Sequence, residues 1–208
     1  MGAAVNSLSW WDDYFVNQWE ANNGRNQTRH FVTRLLDHLA SRETYWLAAP
    51  GRSMLDWGCA LGDGVDVLCR RFPAARVSGL DFSRTAIEKA VKRYPGYDFQ
   101  LAEDGRPQTT FDAVFASNCL EHYVNPFEVA AGHLRFCRSL YVAMVPFREE
   151  RLHEAHFTRF ELDTFPEAIG EFRKLGSAIL RCPPLYWNGE QIIVTYGSAP
   201  YCDEARLT

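Results

Sequence analysis

Along the chain, short apolar runs alternate with stretches in which apolar residues recur every three or four positions. The runs predict seven strands, at Ser53–Asp56, Arg76–Asp81, Asp98–Ala102, Ala113–Ser117, Ser139–Val145, Ser177–Arg181 and Gln191–Tyr196, with helices between the first five. Such alternation implies an α/β fold with a mostly parallel, doubly wound sheet, covered on both faces, whose ligands gather at the carboxyl ends of its strands. The last two strands follow one another through Cys182–Gly189 without a helix, which predicts an antiparallel closing pair. Ahead of the sheet, Leu8–Glu20 and Gln27–Leu39 read as two helices separated by the turn signal Asn22-Asn23-Gly24-Arg25-Asn26. Phe157–Phe172 reads as a loop plus a short helix.

The most informative stretch is Ser53–Leu68. A short apolar strand ends in an acid, Asp56, and spaced small residues, Gly58, Ala60 and Gly62, lead into a helix. Small residues there permit a tight turn and let backbone amides approach a ligand, while the helix presents its positive end. The next strand ends in Asp81, nineteen residues after Gly62, where a carboxylate can accept both hydroxyl protons of a ribose. Asp56 beside the turn would repel a pyrophosphate and favours a cationic ligand.

The series Leu-Asp-Trp-Gly-Cys-Ala-Leu-Gly, Gly-Leu-Asp-Phe-Ser and Phe-Asp-Ala-Val-Phe-Ala-Ser-Asn-Cys-Leu-Glu-His resembles class I S-adenosylmethionine-dependent methyltransferases, well over Met54–Val145 and beyond that by architecture. The resemblance implies a Rossmann-like sheet of order 3-2-1-4-5-7-6 and a single domain over 1–208: a helical lid over 1–47 and a core over 48–208, with a substrate-side insertion at about 148–172. It implies S-adenosylmethionine as cofactor, with Asp56, Gly58, Ala60, Gly62, Asp81, Phe82 and Asn118 around it and Tyr14, Trp19 and Gln27 as lid contacts. Either Glu103 or Asp104 stands where relatives meet the adenine amino group, with solvated loop acids as the plain alternative. Ala60 departs from the family's usual glycine, a change tolerated where φ is negative.

Methyl transfer to an alcohol requires loss of a proton and calls for a base, whereas an amine need only be neutral. His122 follows the fourth strand, and His153 and His156 follow the fifth, its neighbour; with Glu121 they are the candidate catalytic residues. Asn118–His122 is also similar to the Glu-x-x-Glu-His motif of metal-dependent O-methyltransferases, with Asn118 in place of the first glutamate. That resemblance implies Mg2+ or another divalent ion held by Glu121, His122 and His156, in a set weakened by one carboxylate. Packing roles for Glu121 and His122 are the competing reading.

Composition narrows the partners. The 208 residues, 47% hydrophobic with a net charge of −4, can bury one core and supply no field for a polyanion, so a nucleic-acid partner is not expected. No apolar run is long enough for a membrane span, and the N-terminus lacks a signal-peptide pattern, so the expected location is cytoplasmic. The six cysteines show no Cys-x-x-Cys spacing and read as small core residues. Arg159, Tyr186 and Trp187 are suited to a sugar ring, which leads to O-methylation of a saccharide or similar small molecule, in the manner of sugar and polysaccharide O-methyltransferases. N-methylation of a small amine and a non-catalytic cofactor-binding module are the alternatives, and the chain is a monomer or homodimer.

Overall fold

The computed structural model describes residues 3–102 and 104–204. Strands β1 (Ser53–Trp57), β2 (Arg76–Asp81), β3 (Asp98–Leu101), β4 (Phe111–Ser117) and β5 (Cys137–Phe147) pair in parallel. Beside β5, strands β6 (Ala168–Ile169), β7 (Phe172–Arg181) and β8 (Glu190–Gly197) complete a sheet of order 3-2-1-4-5-8-7-6, and these last pairings are antiparallel. The sheet therefore has eight strands where the sequence pattern gave seven. The addition is β6, two residues that pair with Arg173 and Phe172 around the turn at Gly170, which has φ +59°. Two residues cannot display an alternation. The short helix expected in this region is a single 3-10 turn at Leu162–Thr164.

Among the described residues seven α-helices accompany the sheet: α1 (Leu8–Asn17), α2 (Gly24–Asp37), α3 (Ser41–Leu47), α4 (Asp63–Arg71), α5 (Arg84–Arg93), α6 (Pro126–Leu134) and α7 (Ala199–Glu204). The N-terminal segment thus holds three helices rather than two. Between β3 and β4, where a helix was expected, the described residues contain none. The face that such a helix would cover is polar: Ser78 Oγ donates to Asp98 Oδ2 at 2.5 Å, and Gln100 Oε1 accepts from the Gln108 amide at 3.2 Å. With little apolar surface to bury there, a loop suffices. Elsewhere the two faces carry separate cores, one around Met54, Phe115 and Leu35, the other around Leu55, Val114 and Tyr141. No described helix is long and apolar enough to cross a membrane.

The first turn of α4 contributes two buried acids, whose charge also suits the positive helix end. Asp63 accepts from Tyr94 Oη at 2.5 Å, from Arg25 Nε at 3.2 Å and from Arg93 at 3.2 Å. Asp66 pairs with Arg29 at 2.7 Å and Arg70 at 3.0 Å and accepts from Tyr97 Oη at 2.9 Å. Burial opposes the charge of Asp66, and the hydrogen bonds from Arg29, Arg70 and Tyr97 outweigh it, holding that carboxyl below its ordinary range. The network fixes α2 and the end of α5 to α4. Replacing Asp63 with Ala is expected to cost about 2 kcal/mol, because several charge-assisted bonds to half-exposed arginines are lost together. Urea unfolding should show a lower midpoint at unchanged slope.

Candidate active site

The carboxyl ends of β1, β2, β4 and β5 open into a cavity of about 770 Å³, walled on the far side by α1 and the start of α2. The turn after β1 reaches it through three left-handed residues, Gly58 (φ +74°), Ala60 (φ +47°) and Gly62 (φ +81°). Gly58 and Ala60 line the cavity. Gly62 does not: a Cβ there would stand 2.6 Å from the Phe99 ring, so this glycine serves close helix-to-sheet packing rather than ligand approach. The expectation for Ala60 also needs correction, since its φ is positive. An L-residue in that region is strained by about 1–2 kcal/mol, and the Ala60 amide is held there by donating to Asp81 Oδ2 at 2.9 Å. Asp81 Oδ1 accepts from the Ser83 amide at 2.8 Å, so the turn and the next helix are both tied to one carboxylate.

Asp56 and Asp81 lie at the ends of adjoining strands, both buried and both on the cavity. Burial, reinforced by repulsion from Asp81, pushes Asp56 up to about 7. Burial likewise raises Asp81 to about 6 against the opposing pull of the Ser83 and Ala60 amides. Gly64, in the first turn of α4, leaves room for Asp56, since a Cβ there would be 2.5 Å from its Oδ2. No Arg or Lys is among the described residues lining this cavity. This end of the cavity therefore favours a cation.

The predicted lid residues Tyr14, Trp19 and Gln27 all line the cavity, with Phe82 and Asn118. Gln27 Nε2 donates to the Tyr186 carbonyl at 2.5 Å, so its amide nitrogen is committed to the 183–189 turn. The buried Trp19 indole N–H has no partner among the described residues and is available to a ligand. Asp104 is exposed, caps the Arg106 amide at 3.1 Å and lies away from the cavity, in a second depression beside α6. Glu103 falls outside the described residues.

At the other end of the cavity, Glu121, His122, His153 and His156 gather as the sequence suggested. His122 Nδ1 is 2.9 Å from the Ala155 carbonyl, which can only accept, so Nδ1 carries a proton, and the ring also meets the Asn118 backbone. Burial pushes this imidazole down to about 4. His156 Nδ1 lies 2.9 Å from both oxygens of Glu149, a buried carboxylate that sequence reasoning missed because nothing distinguishes it from its neighbour Glu150. Burial raises Glu121 to about 7, and its Oε2 has no hydrogen-bond partner among the described residues. One ligand-type atom each from Glu121, His122 and His156 lies within 4.8 Å of the others. His153 is more exposed, at the rim. Asn6, also missed, donates to the carbonyls of His122 at 3.2 Å and Ala155 at 2.8 Å, joining the N-terminal segment to this cluster.

Comparison with known proteins agrees with the motifs. Residues 55–140 match the family described as Methyltransferase domain. Among curated relatives, a trans-aconitate 2-methyltransferase of Rhodopseudomonas palustris (strain BisB18) is 33% identical over 97 residues, 46% of this chain and 35% of the relative. The chain spans about a third of the length of that relative. Among solved structures, magnesium protoporphyrin IX methyltransferase from Synechocystis PCC 6803 with bound SAH superposes with a TM-score of 0.68 at 15% identity, covering 90% of this chain and 98% of that one. The [4+2]-cyclase SpnF superposes with a TM-score of 0.58 at 16% identity, covering 76% and 80%. These likenesses establish the fold.

The strain at Ala60 is relieved by glycine, so Ala60→Gly should stabilise the protein by about 1 kcal/mol, seen as a rise in thermal midpoint. The raised carboxyls give a pH signature. The folded ligand-free protein holds protons on Asp56 and Asp81 that the unfolded chain releases near 3.8, so the stability they contribute is full below that value and is lost as pH rises through about 6 to 7. The melting temperature should fall over this window, and Asp56→Asn should flatten the fall.

Proposed function

We propose that the protein is an S-adenosylmethionine-dependent O-methyltransferase. The observation that carries the hydroxyl part of this reading is the pairing of His156 with buried Glu149, two contacts of 2.9 Å that orient one imidazole nitrogen outward and bare. When bound, the cofactor supplies a methyl group already activated on sulfur. Asp81, whose carboxylate already accepts from the Ala60, Phe82 and Ser83 amides, would accept the ribose hydroxyl protons, and Asp56 would offset the cofactor's positive charge. Supporting this assignment are the ordered turn and acids, the methyltransferase-domain match and the SAH bound by the Synechocystis protein. The fold by itself is weaker support, since a cyclase shares it.

On the acceptor side, His156 Nε2 would take the proton that an acceptor hydroxyl loses when the methyl group passes from sulfur to its oxygen, leaving S-adenosylhomocysteine, and Glu149 would hold the ring in the required tautomer and balance its charge. His122 is a poorer base, since burial disfavours its protonated form and no carboxylate supports it. An amine acceptor would have no use for the Glu149–His156 pair. Trans-aconitate, named for the relatives, is a tricarboxylate, and the described residues lining the cavity include no Arg or Lys to offer such an acceptor a counter-charge.

A second reading is favoured by the unpartnered Oε2 of Glu121. With both Nδ1 atoms engaged by Ala155 and Glu149, the cluster presents one carboxylate and two further imidazole nitrogens, each imidazole oriented from behind as metal ligands usually are. Glu121, His122 and His156 would hold a divalent ion that lowers the pKa of an acceptor hydroxyl, and the nitrogen-rich set suits zinc, iron or manganese better than magnesium.

These readings separate in one set of measurements. Asp81→Ala should abolish calorimetric binding of S-adenosylmethionine, and retained affinity would overturn the ribose assignment. His156→Ala should lower turnover on a hydroxyl acceptor about 100-fold or more while cofactor affinity stays within a few-fold. Turnover indifferent to chelator supports histidine alone as the base, whereas loss on chelation and recovery with added metal supports the ion.

A further inference from the structure

Around the histidine end of the cavity the protein exposes apolar side chains that a folded chain ordinarily buries. Val124 is 73% exposed, Phe157 44%, Val5 39% and Tyr123 37%, and all four line the cavity. They come from three separate segments: the stretch before α1, the turn after β4 and the loop after β5. Hydrogen bonds to backbone carbonyls hold these segments together. The Phe157 amide donates to the Glu121 carbonyl at 2.7 Å, Thr158 Oγ1 donates to the Tyr123 carbonyl at 2.7 Å, and Asn6 spans the His122 and Ala155 carbonyls. The rim is therefore a built surface, and contiguous exposed apolar area of this kind marks a binding site.

Beside this rim polar groups converge where Asn118, Glu121, His122 and His156 meet, and Asn6, Ser7 and the exposed His153 also line the cavity. A sugar carries hydroxyls all round its ring, each of which loses water on binding and needs a partner. Two of the three residues the sequence offered for a sugar do not line the cavity. Arg159 bonds to Glu161 at 3.1 Å, and Tyr186 stacks on His30 at 4.2 Å. Only Trp187 remains on the wall, 5.6 Å from the His156 ring.

Resting on the methyl-transfer reading of the cavity, we infer that the acceptor is an alcohol or phenol with an apolar body, its hydroxyl at His156 and its hydrocarbon part across Val5, Tyr123, Val124 and Phe157. One polar point and an apolar rim match one hydroxyl on a hydrocarbon frame. The same arrangement leaves the remaining hydroxyls of a saccharide against apolar side chains.

The test is calorimetric binding of a series of 4-alkylphenols, methyl to pentyl, to the full chain saturated with S-adenosylhomocysteine, with glucose and myo-inositol as polyol controls. The association constant should rise about three- to fourfold for each added methylene until the alkyl chain passes the rim, and the polyols should not saturate. Val124→Asp, at an exposed position, should remove most of that increment while the affinity for S-adenosylhomocysteine is unchanged. A flat alkyl series, tighter binding of the polyols, or an increment indifferent to Val124→Asp would overturn the inference. Because binding alone is read, a rising series on a protein that transfers no methyl group would count against the proposed activity and leave the apolar acceptor subsite standing. Failure of S-adenosylhomocysteine to bind would likewise count against the cofactor assignment, and the series run on the free protein would still read the rim.

Discussion

Two carboxylates buried at the ends of neighbouring parallel strands, with no Arg or Lys among the described residues lining the cavity they share, set the terms for everything around them. Asp81 fixes the backbone of the β1 turn and the start of α5 through its amide bonds, and thereby the strained geometry of Ala60. Asp56 fills the space that Gly64 leaves in the first turn of α4. Neither carboxylate is comfortable when ionised, as their upward shifts indicate, and a positively charged ligand relieves both at once. The pair thus stands as a demand for a particular kind of ligand, built into the core of the sheet at a cost to the empty protein.

The strain recurs where the chemistry is placed. Ala60, Asn118 and Arg148 are non-glycine residues with positive φ, and they follow β1, β4 and β5 respectively, at the ends that open on or next to the cavity. Each strand has to turn sharply there to aim its next residues inward. Asn118 shows what the strain secures: its side chain reaches Gln191 at 3.1 Å and also bonds Glu121, so the loop carrying the acid and His122 is braced against β8.

Most of the sheet and half of the site were legible in the sequence because they depend on local pattern. Strand β4 is largely apolar after Asp112, β1 and β2 are short segments with an acid at or next to their carboxyl ends, and the spacing of Gly58, Gly62 and Asp81 belongs to one short unit. The misses are features that only three-dimensional pairing creates. Strand β6 exists by its hairpin with β7, and the loop between β3 and β4 replaces a helix because Ser78, Asp98 and Gln100 happen to share a face. The role of Ala60 turned on the sign of a single dihedral angle. Glu149 is one acid in a charged stretch until the fold seats His156 against it. Asp104, by contrast, had the right position in the chain and faces elsewhere.

Helix α1 bears on both ends of the cavity. Tyr14 and Trp19, on α1 and in the turn that follows it, face the end with the two acids, while Trp11 packs edge-on against His122 with ring centroids 4.9 Å apart. It is fastened to the body by the buried Phe15, packed with Ala60, Leu61 and Ala86, and by polar contacts of Asp12 with Ser83 and of the Phe15 carbonyl with Lys89, while Glu20 in the turn after it meets Arg93. Helix α2, anchored to the buried acids of α4, is held far more firmly, and the joint between the two helices falls at left-handed Asn23. The two ends of the cavity thus share one wall, and ligands proposed for either end would meet across the same helix.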